Sequence, residues 1–224
     1  MGLNVIFDMD GVLVDSELHW TEIQSDFLRG LLPKWTDEDQ LRLIGLSANH
    51  VYELLVKDYG LGQSIEEYFS YYEGITKEIY GKRTQLIPRV ENLLHELRDN
   101  GIPLALASSS PHAWISIVLD RFGFRDLFEH VVSADDLGGV GKPHPGIYLK
   151  TSELLEVAPS ECIAIEDSNK GVASAVAAGM TCVGIKNGFN EHQDLSQADV
   201  VIEGFSAINA EFFRGLYSEA SSIT

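Results

Sequence analysis

The sequence predicts an α/β protein: a doubly wound parallel sheet with an all-helical segment inserted after its first strand. Three patterns predict it. From Pro88 onward, short apolar runs alternate with amphipathic helical stripes, the order that builds a parallel sheet from strand–helix–strand units. A solitary apolar run, Leu3 to Phe7, stands near the N-terminus and ends in Asp8-Met9-Asp10-Gly11. Between Ser16 and Tyr80 the apolar spacing is helical, and no strand pattern intervenes.

Leu3 to Phe7 reads as a buried strand that delivers acidic groups at its carboxyl end. Val12-Leu13-Val14 continues as a turn-back flap. Within the insert, Ile23, Phe27 and Leu31 fall four apart, Val51, Leu54 and Leu55 share one face, and Tyr68, Tyr71, Tyr72 and Ile75 share another. The spacing of the tyrosines fits helix packing. Gly45, Gly60-Leu61-Gly62 and Gly81 punctuate these helices. Val90, Leu93, Leu94 and Leu97 then follow the i, i+3, i+4, i+7 spacing, and Asn100-Gly101 closes that helix. Ile102 to Ala107 is a strand. Ile115, Val118, Leu119 and Phe122 make the next stripe, ended by Gly123. Val131-Val132 is a short strand, Ile147 to Leu155 a helix, Cys162 to Ile165 a strand, and Asn169 to Ala178 a helix closed by Gly179. Thr181 to Ile185 and Val200 to Ile202 are the last strands, and Ala207 to Leu216 is the last helix. The small-residue end from Ser218 reads as disorder-prone. The sheet domain is therefore expected to be split, 1–15 with 85–224, around a helical cap of residues 16–84. A cap in that position lies over the carboxyl ends of the strands, where open α/β sheets bind ligands.

The 224 residues suffice for one sizeable core and a smaller lobe, and 45% hydrophobic with 22% charged residues suits a globular chain. No apolar run reaches the ~18–20 residues of a membrane helix. The N-terminus lacks the basic region of a signal peptide. Both point to the cytoplasm. A net charge of −18 argues against nucleic acid or an anionic membrane as partner. A phosphate ester meets the same repulsion, so phosphate chemistry here needs a locally placed lysine or divalent metal. Cys162 and Cys182 have no metal-ligand spacing and sit in apolar runs, as buried reduced thiols do. A monomer is the default for a capped domain of this size.

Four strand ends carry the chemistry: Asp8 with Asp10, Ser108-Ser109-Ser110, Lys142 in Gly141-Lys142-Pro143, and Glu166-Asp167. The inventory suits phosphoryl transfer. An aspartate attacking phosphorus gives an acyl-phosphate and divides one hard hydrolysis into two easier steps. Asp8 and Asp10 need a cation before both can approach a phosphate dianion. Asp8 with Asp167 suits Mg2+, which takes oxygen ligands and phosphate. Lys142 would neutralise developing charge, Ser108 would donate to a phosphoryl oxygen, and Asp10 would act as general acid and then base. Ser109 is a further phosphate-contacting candidate, although Ser109 and Ser110 also suit capping of the helix beginning near Pro111.

Phe7-Asp8-Met9-Asp10-Gly11-Val12-Leu13-Val14-Asp15-Ser16 resembles the first motif of the haloacid dehalogenase superfamily. Ala107-Ser108-Ser109-Ser110 resembles its second, Lys142-Pro143-His144-Pro145 its third, and Ile165-Glu166-Asp167-Ser168 with Gly171 its fourth. The resemblance spans the whole chain. It implies a Rossmann-like core, Mg2+ and an aspartyl-phosphate. By it, Asp8 is the nucleophile, Asp10 the acid/base with its backbone carbonyl on the metal, and Ser108 and Lys142 phosphate ligands. Asp167 with Glu166 is the metal end, Glu166 being either a direct ligand or a supporting group. The chain looks closest to the branch of β-phosphoglucomutase and the sugar-phosphate phosphatases, so a small phosphate ester is the expected substrate.

A phosphosugar mutase shares every one of these core residues and is the competing reading. Mutases of the branch carry an arginine in a Gly-x-Ser-Arg context that clamps a second phosphate, whereas this chain reads Gly45-Leu46-Ser47-Ala48. A catalytically silent binding protein on the same scaffold is the other alternative, and the intact acidic and basic set argues against it. His19 lies close to the position of the mutase cap histidine. His19, Trp20 and His112 are the candidate substrate contacts, with helix packing as the plainer reading of His19 and Trp20.

Overall fold

A computed structural model describes residues 2–43, 46 and 48–221. Its strands are β1 (Asn4–Phe7), β2 (Leu104–Ser108), β3 (His130–Ser133), β4 (Cys162–Glu166), β5 (Thr181–Lys186) and β6 (Val200–Glu203). They form one sheet in the order β3-β2-β1-β4-β5-β6, and every pairing is parallel. Val5 faces Leu104 on one side and Ile163 on the other. The strand order turns back at β1. That reversal opens a crevice at the carboxyl ends of the strands flanking it.

The alternating direction of side chains along a strand divides the core in two. Val5, Phe7, Leu104 and Leu106 pack with Leu94, Leu97, Ile115, Val118 and Phe213. Ile6, Ala105, Ala107 and Ala164 pack on the opposite face with Ile147, Tyr148, Val172 and Ala175. The helices supplying those layers are α5 (Val90–Asp99), α6 (His112–Phe122), α7 (Gly146–Leu154), α8 (Asn169–Ala177) and α9 (Ala210–Ser221). Helix α9 runs past the predicted end at Leu216 and through Ser218, where disorder was expected, to Ser221. Buried Phe213 and Arg214, which donates to the carbonyl and side chain of Asn100, pin it to the sheet domain. Residues 222–224 of the expected disordered end lie outside the described residues. Both cysteines are buried free thiols.

Between β1 and β2 the chain is helical: α1 (Ser16–Leu31), α2 (Asp37–Leu41), α3 (Ala48–Tyr59) and α4 (Ile65–Glu78). Helix α4 starts at a capping box in which Ser64 and Glu67 satisfy each other's backbone N–H groups. These helices share an apolar cluster of their own, including Leu28, Trp35, Leu55 and Tyr72. Gly81 does not break the chain as its sequence suggests. It sits in a π-helical turn, Ile79–Arg83, that continues α4. The outgoing and returning strands of chain run side by side: Asp15 N donates to Gln85 O at 3.1 Å and Ile87 N to Leu13 O at 2.9 Å. Among the described residues no helix is long and apolar enough to cross a membrane.

Candidate active site

Asp8 leaves the end of β1, and its backbone N–H donates to Ile165 O in β4 at 3.1 Å. Opposite it, Lys142 Nζ lies 2.7 Å from Asp8 Oδ1 and 2.5 Å from Glu166 Oε1, and donates to Ala107 O at 2.9 Å. All three side chains are buried. Burial alone would lower the Lys142 pKa, but attraction to Asp8 and Glu166 outweighs it and raises the value, so the lysine stays charged. Burial, reinforced by Asp8, raises the Glu166 carboxyl, while Lys142 and the Tyr148 hydroxyl oppose that rise.

Asp8, Glu166 and Asp167 each offer an oxygen within 4.8 Å of the others. Asp167 is pushed well above the usual carboxylate range, first by burial and then by Asp8, Glu17 and Glu166. Glu166 Oε2 is buried without a hydrogen-bond partner. It rests on Gly171, where any Cβ would collide with the carboxylate. Asn187, the residue after β5, steadies the group: its Nδ2 donates to Gly11 O at 2.8 Å and to Asp167 Oδ2 at 3.2 Å. Three crowded carboxylates, one with an orphaned oxygen, share one lysine. That all-oxygen set fits a hard divalent cation such as Mg2+.

The Asp10 carboxylate stands apart from this cluster. Three hydroxyls donate to it: Ser16 at 2.5 Å, Tyr80 at 2.8 Å and Ser110 at 2.8 Å. Burial and then Asp8 raise the Asp10 pKa, and those three hydrogen bonds pull it back. Tyr80 itself accepts from Trp20 Nε1 at 2.9 Å. The Trp20 ring stacks on Trp114 of α6 with centroids 5.1 Å apart, tying α1 to the sheet layer.

These groups meet in a pocket of about 90 Å³ at the switch point. Asp8, Asp10, Lys142, Asp167, Ser109 and Trp20 line it, as do Ser110 and Glu17. Ser108 lies beneath the lining: it is buried, and its Oγ accepts from Ser110 N at 3.1 Å. Ser109 Oγ accepts from Lys142 N at 3.2 Å.

His19 and His112 are not among the lining residues. The phase of α1 turns His19 toward Asp15, with Nε2 3.8 Å from Oδ1. His112 pairs with Asp136 at 2.8 Å on the exposed face of α6. Gly45 and Ser47 lie outside the described residues, and α3 begins at Ala48. Sequence reasoning missed Tyr80, Glu17, Gln24 and Gln40, and it offered Ser110 as a helix cap, whereas its hydroxyl donates to Asp10 and the N-cap position of α6 is Pro111. Only Gln24 carried a signal, as a polar residue beside the apolar stripe of α1. Tyr68 and Tyr72 serve the helical core as expected and also face the pocket.

The family profile described as haloacid dehalogenase-like hydrolase matches residues 5–185. Hexitol phosphatase B of Escherichia coli (strain K12) is 32% identical over 183 residues, covering 81% of this chain and 82% of that one. The β-phosphoglucomutase of Bacillus subtilis (strain 168) is 31% identical over 222 residues, covering 92% of each. Among solved structures, β-phosphoglucomutase from Clostridium difficile superposes with a TM-score of 0.81 at 26% identity, over 99% of this chain and 100% of that one. With the match over most of its length and the same fold throughout, the chain belongs to the haloacid dehalogenase-like hydrolase family, as a phosphatase of the branch that also holds β-phosphoglucomutase.

Proposed function

We propose that this enzyme hydrolyses the phosphate monoester of a small sugar or polyol through an aspartyl-phosphate on Asp8. The observation that carries the proposal is the Lys142 bridge between Asp8 and Glu166, with Asp167 beside it. It presents a carboxylate with a cation next to it, both buried, within an otherwise acidic crevice.

In the first half-reaction an Asp8 carboxylate oxygen attacks phosphorus and the ester P–O bond breaks. The Asp10 carboxyl gives its proton to the departing alkoxide. In the second, water attacks the phosphoryl group while the Asp10 carboxylate takes its proton. The bond between phosphorus and Asp8 breaks, and phosphate leaves. Ser109 already accepts from Lys142 N, so its own hydroxyl hydrogen is left to donate to a phosphoryl oxygen, with Ser108 beneath as a second donor. Lys142 covers charge on the transferring group. Asp8, Glu166, Asp167 and the Asp10 backbone carbonyl would hold Mg2+, which when bound neutralises the phosphoryl oxygens that Lys142 leaves uncovered. Residues 16–84 would act as a lid that excludes bulk water and meets the leaving group. Trp20 faces that group, and we assign His19 and His112 supporting places outside it.

Phosphate release from a panel of phosphorylated sugars, polyols, nucleotides and carboxylic acids, with Mg2+ and with EDTA, tests this reading. Metal-dependent release concentrated on sugar or polyol esters, and abolished by Asp8→Asn, is the expected result. Normal activity in Asp8→Asn refutes the nucleophile. Similarity to the Bacillus subtilis β-phosphoglucomutase favours a second reading, a phosphosugar mutase. Conversion of glucose 1-phosphate to glucose 6-phosphate, stimulated by a bisphosphate and with little free phosphate, would establish it.

A further inference from the structure

The helical segment hides a polar chain inside an apolar core. Trp35 Nε1 donates to Gln40 Oε1 at 3.3 Å, Gln40 Nε2 to Gln24 Oε1 at 2.7 Å, and Gln24 Nε2 to the Tyr72 hydroxyl at 3.3 Å. Gln24 is 7% exposed and Gln40 3%. Buried amides in a small hydrophobic lobe are costly to keep, and packing alone does not call for them. Both line the pocket facing the catalytic carboxylates.

A primary amide has two N–H donors and one carbonyl acceptor. Among the described residues each of these nitrogens gives one hydrogen to a protein acceptor and keeps a second, and each carbonyl already accepts one bond. The middle of the chain thus places two neutral amides, each with a second N–H, among the residues that line the pocket. Around them the wall is apolar or aromatic, including Trp20, Leu43, Val51 and Tyr68. Among the described residues lining the pocket, the sole cation is Lys142, which is already shared between Asp8 and Glu166. Ile44, Gly45 and Ser47 bring no charge by their chemistry. The lining adds the Glu17 carboxyl, whose pKa is raised by burial, Asp10 and Asp8 against a weaker opposing pull from Lys170 outside the lining. A second phosphate against this part of the wall would therefore meet neutral donors and an acid rather than a lining cation.

We propose, resting on the phosphatase reading above, that Gln24 and Gln40 determine specificity by binding the hydroxyl groups of an uncharged, polyhydroxylated leaving group, and that the pocket rejects esters bearing a second phosphate. The aromatic rings accept the C–H faces of such a group while the amides meet its hydroxyls, the usual division between apolar lining and a few fixed polar groups. A site built to hydrogen-bond a hydroxyl discriminates strongly against a substrate that lacks it, since its own polar groups are then left unpaired.

The test measures kcat and KM of the full-length enzyme in Mg2+ for a hexitol phosphate, a hexose 6-phosphate, a hexose 1,6-bisphosphate and p-nitrophenyl phosphate. It compares wild type with Gln24→Leu and Gln40→Leu, each checked by thermal melting. The wild type is expected to favour its best hydroxylated monoester over the bisphosphate by about 100-fold in kcat/KM. Each leucine variant should lose roughly 10- to 100-fold on that monoester, mainly through KM, and less than about 3-fold on p-nitrophenyl phosphate. Equal losses on both esters, no loss on either, or efficient bisphosphate turnover overturns the proposal. If a leucine variant does not fold, Gln24→Met or Gln40→Met and the wild-type bisphosphate ratio decide on the same criteria. Wild-type release from p-nitrophenyl phosphate with no preference for hydroxylated esters sinks this inference and leaves the phosphatase reading standing. No release from any ester sinks that reading, and the inference with it.

Discussion

The ammonium of Lys142 sits 2.7 Å from the carboxylate of Asp8, 134 positions away in the chain, and both side chains are almost closed to water. The same nitrogen reaches Glu166 at 2.5 Å. Replacing Lys142 with methionine keeps the volume and leaves two buried carboxylates without their cation. Breaking a buried pair from one side costs about 3–5 kcal/mol. Urea unfolding at pH 7 should register a loss of that order in metal-free Lys142→Met, together with loss of phosphatase activity in Mg2+. A stability change below about 1 kcal/mol would mean that the bridge is looser than described.

Tyr80 reaches Asp10 from the π-helical turn, so Tyr80→Phe removes one of three hydroxyl donors. A hydrogen bond to a charged acceptor is worth about 1.5–3 kcal/mol, so kcat should fall roughly 10- to 100-fold. The direction of the pH effect follows from the donors, which hold the Asp10 pKa down against burial and Asp8. Losing one raises it further, and the pH–rate limb that titrates Asp10 moves to higher pH. A fall in kcat with an unmoved pH profile would show that Tyr80 only fills space.

Gly11 has φ +78°, and a Cβ there would strike the Asp167 carboxylate. Gly11→Ala therefore combines left-handed strain of about 1–2 kcal/mol with displacement of a candidate metal ligand. Gly60 separates the two effects, since it has φ +70° with open space around it. The Mg2+ concentration for half-maximal activity should rise at least 10-fold, by the order of a lost supporting contact, in Gly11→Ala and stay unchanged in Gly60→Ala. Equal responses would place the effect in the backbone alone.

Glu17 is half-buried at the pocket, and burial, then Asp10 and Asp8, raise its carboxyl from 4.5 to about 8. The folded state thus holds this proton over a range where the unfolded chain releases it. The contribution to stability is complete below about pH 4.5 and is lost as pH rises through about 8. In EDTA, the wild-type Tm should decline from pH 5 to pH 8.5, and Glu17→Gln should decline less. Water reaching the side chain reduces the size of the effect, but superimposable curves would contradict it.

Much of the fold was legible because strand and helix periods are local. Leu104 and Leu106 face one layer while Ala105 and Ala107 face the other, as period-two alternation requires. The strand ends were equally legible: Asp8, Lys142, Glu166 and Asp167 each follow or close a strand, and a parallel sheet gathers such ends on one edge. The expected pocket histidines were less so. The roughly 100° step from one helical residue to the next turns Trp20 to Tyr80 and leaves His19 beside Asp15.

By itself the sequence determined the α/β class, the helical insert after the first strand and the acidic–lysine set, because each depends on local periodicity or on residues tied to strand ends. Only the tertiary structure decided that Tyr80 holds Asp10, that Ser109 and Ser110 face the pocket above Ser108, and that Gln24 and Gln40 form one chain. Those relations join helices to one another and to the sheet. Their packing angles and rotational phases are set by side chains from several distant segments together, and no single stretch of sequence records them.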